Sequence, residues 1–220
     1  MKAILFDTET SGLFRYDRRA DAEDQPRMAS IAAVLVDDTG KPLKSMYRLI
    51  KPVEWEQRFI DDCKNGVNAF KVNGLTWERL NDEGVPVVDA LAEYDALVDE
   101  CEGVAAYGVS FDQKVARAEQ RRAGRPDRYG ERDTFCVANA CVDICKMAPT
   151  DKMMAAGIRW HKKPKLAEAA EILLGVKMGD TAHNAEADLE ITRQIYELML
   201  NMRGVVQWKP QVSKLQDNEA

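Results

Sequence analysis

The chain lacks most features that would assign a class at a glance. No apolar run approaches the ~20 residues that a membrane-spanning helix needs. The N-terminus offers one lysine and a short apolar stretch before Asp7, too little for a secretory signal. Histidine is scarce, with 2 in all, His161 and His183. The 5 cysteines are odd in number and irregularly spaced, which fits a reduced, cytoplasmic protein better than a disulfide framework. Basic charge is not in excess: 31 Lys and Arg against 37 Asp and Glu leave a net charge of −6. That balance weighs against binding nucleic acid by bulk charge, and leaves room for a local basic groove or an acidic site that gathers cations. Internal repeats and low-complexity segments are absent as well.

What is present reads as an ordinary globular chain, 45% hydrophobic and 31% charged over 220 residues. A chain of this length buries roughly 70% of its unfolded surface and needs no metal or disulfide to fold. Its pattern alternates strands and helices. An apolar run at 2–8, bounded by Thr-Ser-Gly, predicts a buried strand. The charged stretch 15–27 reads as a solvated loop. Strands at 28–36 and 43–50 flank Asp37-Asp38-Thr39-Gly40, a hairpin turn signal. Helical spacing follows at 59–70 and 87–98, the second entered just after Pro86. A short strand is expected at 103–109, then helices at 112–123, 135–147, 166–174 and 185–202. Apolar periodicity fades after Met202, so the domain is placed at 1–203 and 204–220 is read as a flexible tail, with Val205, Val206 and Trp208 able to dock. An antiparallel hairpin followed by strand–helix units makes an α/β domain with a mixed sheet.

Four acids stand out by position. Alternation along the first strand puts Asp7 and Glu9 on one face, their Cα atoms roughly 6.5–7 Å apart. Two carboxylates ending an apolar strand repel unless a cation compensates them; the alternative is that the strand has already ended and both lie in solvent. Asp112 begins the helix after the 103–109 strand, where Asp is a favoured cap. Ser110 and Gln113 fit a capping box, which frees the Asp112 carboxylate at the C-terminal mouth of a strand. Asp188 falls on the stripe continued by Ile191, Ile195, Leu198, Met199 and Met202, so its carboxylate extends a buried face. His183 lies in the loop leading into that helix. Cys136, Cys141 and Cys145 recur at near-helical spacing with apolar neighbours and read as core, not as a metal triad. A basic loop, Trp160-His161-Lys162-Lys163-Pro164-Lys165, is suited to holding a phosphate backbone or stacking a base. Arg121, Arg122, Arg125 and Arg128 form a second basic cluster, read as solvated surface.

Three motifs in order, FDTETSGL at 6–13, VSFD at 109–112 and HNAEAD at 183–188, resemble the DEDDh branch of the DnaQ-like exonucleases. That branch includes proofreading exonucleases, RNase T and oligoribonuclease. Weaker echoes at Val72-Asn-Gly-Leu-Thr76, Asp133-Thr134, Pro164-Lys-Leu and Leu173-Leu-Gly175 extend the resemblance over roughly residues 3–202. The resemblance implies an RNase H-like fold, with a mixed five-stranded sheet flanked by helices. It implies two divalent cations, Mg²⁺ or Mn²⁺, with Asp7, Glu9, Asp112 and Asp188 as ligands and His183 as general base. The implied reaction is hydrolysis of phosphodiester bonds from the 3′ end of single-stranded DNA or frayed DNA ends, releasing nucleoside monophosphates. An exoribonuclease is the first alternative; a silent nucleic-acid-binding module is disfavoured, since binding alone does not need all five groups. The implied partners are DNA or RNA 3′ ends, with a DNA polymerase as a further candidate. By the same match Thr8, Thr10, Gly12, Leu13, Tyr107 and Phe111 are candidate substrate contacts, joined by Trp160, Lys162 and Lys163 of the basic loop. Tyr107-Gly108 stands where many relatives carry His-Asn, which puts substrate positioning near Asp112 in question.

Overall fold

A computed structural model describes residues 1–126, 128, 132–179 and 184–210. Its centre is a five-stranded sheet of order β3-β2-β1-β4-β5, formed by β1 (Ala3–Thr10), β2 (Met28–Val36), β3 (Pro42–Leu49), β4 (Gly103–Ala106) and β5 (Asp133–Cys136). β2 is buried along its whole length because it lies between two partners under helices on both faces. It runs antiparallel to β1 and β3, whereas β1, β4 and β5 are parallel. The sheet is therefore mixed, as the hairpin and crossover pattern requires.

Alternation along β1 and β2 divides the core. Ile4, Phe6, Ile31, Ala33 and Leu35 face α4 (Val87–Val98) and α5 (Val109–Arg122), meeting Leu91, Tyr94, Val115 and Ala116. Ala3, Leu5, Ala32, Val34 and Val36 face the other layer, α6 (Val137–Cys145), α8 (Leu166–Leu174) and α9 (Ala185–Leu200). A smaller cluster of Trp55, Phe59, Phe70 and Leu80 packs three short helices, α1 (Gln57–Asn65), α2 (Ala69–Asn73) and α3 (Trp77–Asp82), against Ala29 and Leu49.

Several expectations give way to tertiary structure. The helix expected at 59–70 is two helices, because Gly66 adopts a left-handed conformation and ends α1. Residues 133–136, the first of which lie in no expected element, form β5, so the expected 135–147 helix starts later, at Val137. α3 and the short α7 (Asp151–Ala155) were not expected. β4 stops at Ala106, and α5 starts at Val109 behind Gly108. Ser110 is therefore inside the helix, and the Ser110–Gln113 capping box does not form. The cysteines of α6 follow the core reading, Cys141 being fully buried.

The charged stretch 15–27 is a loop, exposed over 15–19 as expected, but its far end is anchored in the body and buried from Gln25 to Arg27. Glu119 of α5, 1% exposed, accepts hydrogen bonds from Arg27, Arg122 and the Met28 backbone N–H. Arg122 in turn donates to the backbone carbonyls of Ala20 and Ala22, and buried Gln25 donates to the carbonyls of Arg15 and Arg19. Arg122 thus leaves the solvated cluster assigned to it, and Arg125 pairs with buried Asp95. Past Met202 the chain stays on the domain as far as Lys209: Val205, Val206 and Trp208 pack on the α9 face, and Lys209 bridges to Thr134 of β5. Trp208 stacks near Phe135 and Tyr196, over Gly103, where a Cβ would come within 2.6 Å of its ring. Residues 211–220 lie outside the described part of the chain.

Candidate active site

The site forms where β1 runs past its parallel partner. β1 pairs with β4 only from Ala3 to Leu5, and beyond Ala106 the chain turns into α5. The backbone N–H of Thr8 is thereby left without a strand partner on that side. Asp112 fills the gap: its Oδ1 accepts from Thr8 N at 3.0 Å and from Thr8 Oγ1 at 2.9 Å. Asp7 and Glu9, one residue to either side, point to the opposite face, towards α9. There Asn184 caps α9 by accepting from the N–H groups of Glu186 and Ala187. The first turn of α9 then presents Asp188, and one oxygen each of Asp7, Glu9 and Asp188 lies within 4.8 Å of the others. Asp112 and Asp188 both sit in the fourth position of their helices, where the partial positive charge of a helix N-terminus favours an anion.

Burial and mutual repulsion raise the proton affinity of this cluster. Asp7 is held well above the ordinary carboxylate range by burial first, then by the charges of Asp112, Glu9 and Asp188. Glu9 is raised to about 8 by burial and by Asp188 and Asp112, opposed by a hydrogen bond from Asn73. Asp112 is raised to about 7 by burial, opposed by its two bonds from Thr8. A divalent cation fits the Asp7, Glu9 and Asp188 oxygens: they are hard donors, they converge, and a positive charge among them would offset the repulsion that raises Asp7 and Glu9.

A groove of about 550 Å³ opens beside the carboxylates. Thr8, Thr10, Gly12, Leu13 and Phe111 line it together with Glu9, across from Phe59 and Asn73. Leu13 is 88% exposed at its rim. Tyr107 does not line the groove: its ring packs in the α9 layer, and its hydroxyl donates to the Pro164 carbonyl at 2.8 Å. That bond ties the basic loop to the strand end from which Asp112 is suspended. On the loop Trp160 is 69% exposed, Lys163 is exposed, and Lys162 is paired with Glu168. His183 lies outside the described residues. Asn73 carries no mark in the sequence beyond its place in the Val72–Thr76 motif echo. Buried, it donates to the Thr10 carbonyl at 3.3 Å as well as to Glu9, and accepts from the Leu75 N–H, fixing the groove wall to the carboxylate strand.

No family model matches the chain. No curated protein matches it either. Solved structures do. Exonuclease I of E. coli in complex with a dT13 oligonucleotide superposes with a TM-score of 0.67 at 17% identity, over 91% of this chain and 41% of that one. The fold is RNase H-like. The zinc-bound E. coli exonuclease I–ssDNA complex gives a TM-score of 0.65 at 17% identity, over 92% and 41% of the two chains. A moderately thermophilic exonuclease I from Methylocaldum szegediense gives a TM-score of 0.62 at 17% identity, over 92% and 41% of the two chains. This RNase H-like chain thus spans about two fifths of the length of the exonucleases it resembles.

Proposed function

We propose that this chain is a metal-dependent 3′–5′ exonuclease of the DEDDh type, acting on single-stranded DNA. One observation carries the reading: four carboxylates from three separate elements, β1, α5 and α9, converge beside an open groove, three of them within 4.8 Å of one another. Support for DNA comes from the similar structures, which hold single-stranded oligonucleotides. The groove's volume is within the ~300–1,000 Å³ of small-ligand pockets, adequate for a terminal nucleotide. All five cysteines are free thiols, which supports the cytoplasmic setting. Among the described residues no helix is long and apolar enough to cross a membrane. The reading invokes no polymerase.

In this mechanism Asp7, Glu9, Asp112 and Asp188 would hold two divalent cations, Mg²⁺ or Mn²⁺, which supply charge stabilisation of the attacking and leaving oxygens in an in-line displacement. His183 takes a proton from the attacking water, for which an imidazole near neutral pH is suited. A bond forms from the water oxygen to phosphorus as the bond to the 3′ oxygen of the preceding nucleotide breaks. A nucleoside 5′-monophosphate leaves, and the shortened strand keeps a 3′ hydroxyl protonated from solvent. Thr8 fixes Asp112, and Asn73 fixes Glu9, so the carboxylates meet the reaction already oriented. Digestion of matched 5′-labelled DNA and RNA oligomers with Mg²⁺ or Mn²⁺ tests the reading. Ladders shortened from the 3′ end, faster on DNA, are expected; faster RNA trimming would reassign the substrate, and no hydrolysis of either would overturn the reading.

A further inference from the structure

We infer that Tyr16 and Lys114 form a second contact for a single nucleic-acid strand, beside the carboxylate site and outside its groove; this rests on the exonuclease reading. Tyr16 stands 83% exposed on the 12–27 lobe. The Nζ of Lys114 lies 4.3 Å from the centre of its ring, and 5.9 Å from that of Phe14. Phe14 meets Phe111 edge-on at 6.1 Å, and Phe111 lines the groove. Ring contacts therefore connect the groove wall at Phe111, through buried Phe14, to Lys114 and Tyr16 at the surface.

Charge singles out the lysine. The neighbouring arginines of the lobe are already neutralised, Arg15 by Asp17 and Asp24, Arg18 by Asp24 and Arg19 by Asp21. Lys114 makes no ion pair among the described residues and is oriented only by the two rings. The lobe under Tyr16 is held by the buried Glu119–Arg27–Arg122 network, so the ring is carried on a fixed support. A polyanion approaching a chain of net charge −6 with four acids at its site needs a cation to meet it. An ammonium seated on an exposed aromatic face offers a phosphate contact and a base-stacking surface in one place, and it does so without regard to sequence.

The test compares Tyr16→Ala, Tyr16→Phe and Lys114→Gln on a 12-nucleotide strand and on a dinucleotide, alongside anisotropy of a 5′-labelled 12-nucleotide strand in EDTA. Tyr16→Ala should weaken binding of the longer strand about 5- to 150-fold, the worth of one stacked base, and narrow its kcat/KM advantage over the dinucleotide through KM. Tyr16→Phe should restore most of both. Lys114→Gln should lower the slope of log affinity against log salt by about 0.7, as for one phosphate contact on a single strand. Equal losses on both substrates, or unchanged affinity and salt slope, would overturn the inference. If the unaltered protein hydrolyses neither substrate, the exonuclease reading fails alone, and the anisotropy series still decides whether this surface binds the strand.

Discussion

Replacing Asp112 by asparagine should make the metal-free protein more stable at alkaline pH while abolishing its activity. Asp112 titrates near 7 in the fold against 3.8 for an ordinary aspartate. Between those values the native state holds a proton that the unfolded chain has released, so native stability falls as pH rises through the interval and levels off above about 7. Each pH unit is worth ~1.4 kcal/mol. At pH 8 the ionised carboxylate therefore costs the native state on the order of 4 kcal/mol, and at pH 5 less than half of that. Asparagine escapes this cost and keeps the local geometry, because its side-chain carbonyl can accept both bonds from Thr8. For a chain of this size ~1 kcal/mol moves Tm by about 2–4 °C. The variant should thus melt about 10 °C above the parent at pH 8 in EDTA, and only a few degrees above it at pH 5. Saturating Mg²⁺ should raise the parent more than the variant. Scanning calorimetry at the two pH values checks this. A variant less stable than the parent at pH 8, or an equal gain at both pH values, would refute the account of Asp112 as a carboxyl whose ionisation burial opposes.

Three further outcomes follow from the same geometry. Asp7→Ala and Asp188→Ala should keep the fold and lose most hydrolysis, since each removes one of the converging oxygens; near-parental turnover at saturating Mg²⁺ in an oligomer assay would break the ligand assignment. His183→Ala should retain its calorimetric affinity for Mg²⁺ while hydrolysing about 10²–10⁴-fold more slowly, with a deficit that shrinks at high pH, where hydroxide replaces the base. A chain ending at Arg203 loses Trp208 from against Phe135 and Tyr196 and should be less stable by about 2–3 kcal/mol in a thermal melt.

The elements legible in the sequence were those whose signal is local. β2 was placed at its observed bounds because a continuous apolar run ends in a strong turn, and α4 because Pro86 fixes its start. α8 was likewise marked by Pro164 before it and Gly175 after it. β5 carries no such mark because it is four residues long with one buried side chain, Phe135, too short to show alternation, and its strand character comes from pairing with β4, some thirty positions upstream. The capping box at Ser110 was a correct local pattern overruled by a long-range one. The helix has to start at Val109 for its fourth residue to meet the unpaired Thr8 N–H.

The same distinction separates the parts of the site. Asp7, Glu9 and Asp188 were visible as charges breaking apolar periodicity, since a carboxylate on a buried stripe demands an explanation in any fold. What holds them had no such mark. Asn73 acts on Thr10 from 63 positions away and on Glu9 beside it, and Arg27 meets Glu119 across 92. In sequence, both Arg27 and Arg122 read as members of solvated charge runs, and only burial reveals that Glu119 gathers them under the lobe that carries Tyr16. A charged residue on the core stripe is legible because its cost is local. A charged residue that holds a loop is not, because its benefit depends on a partner that only the fold supplies.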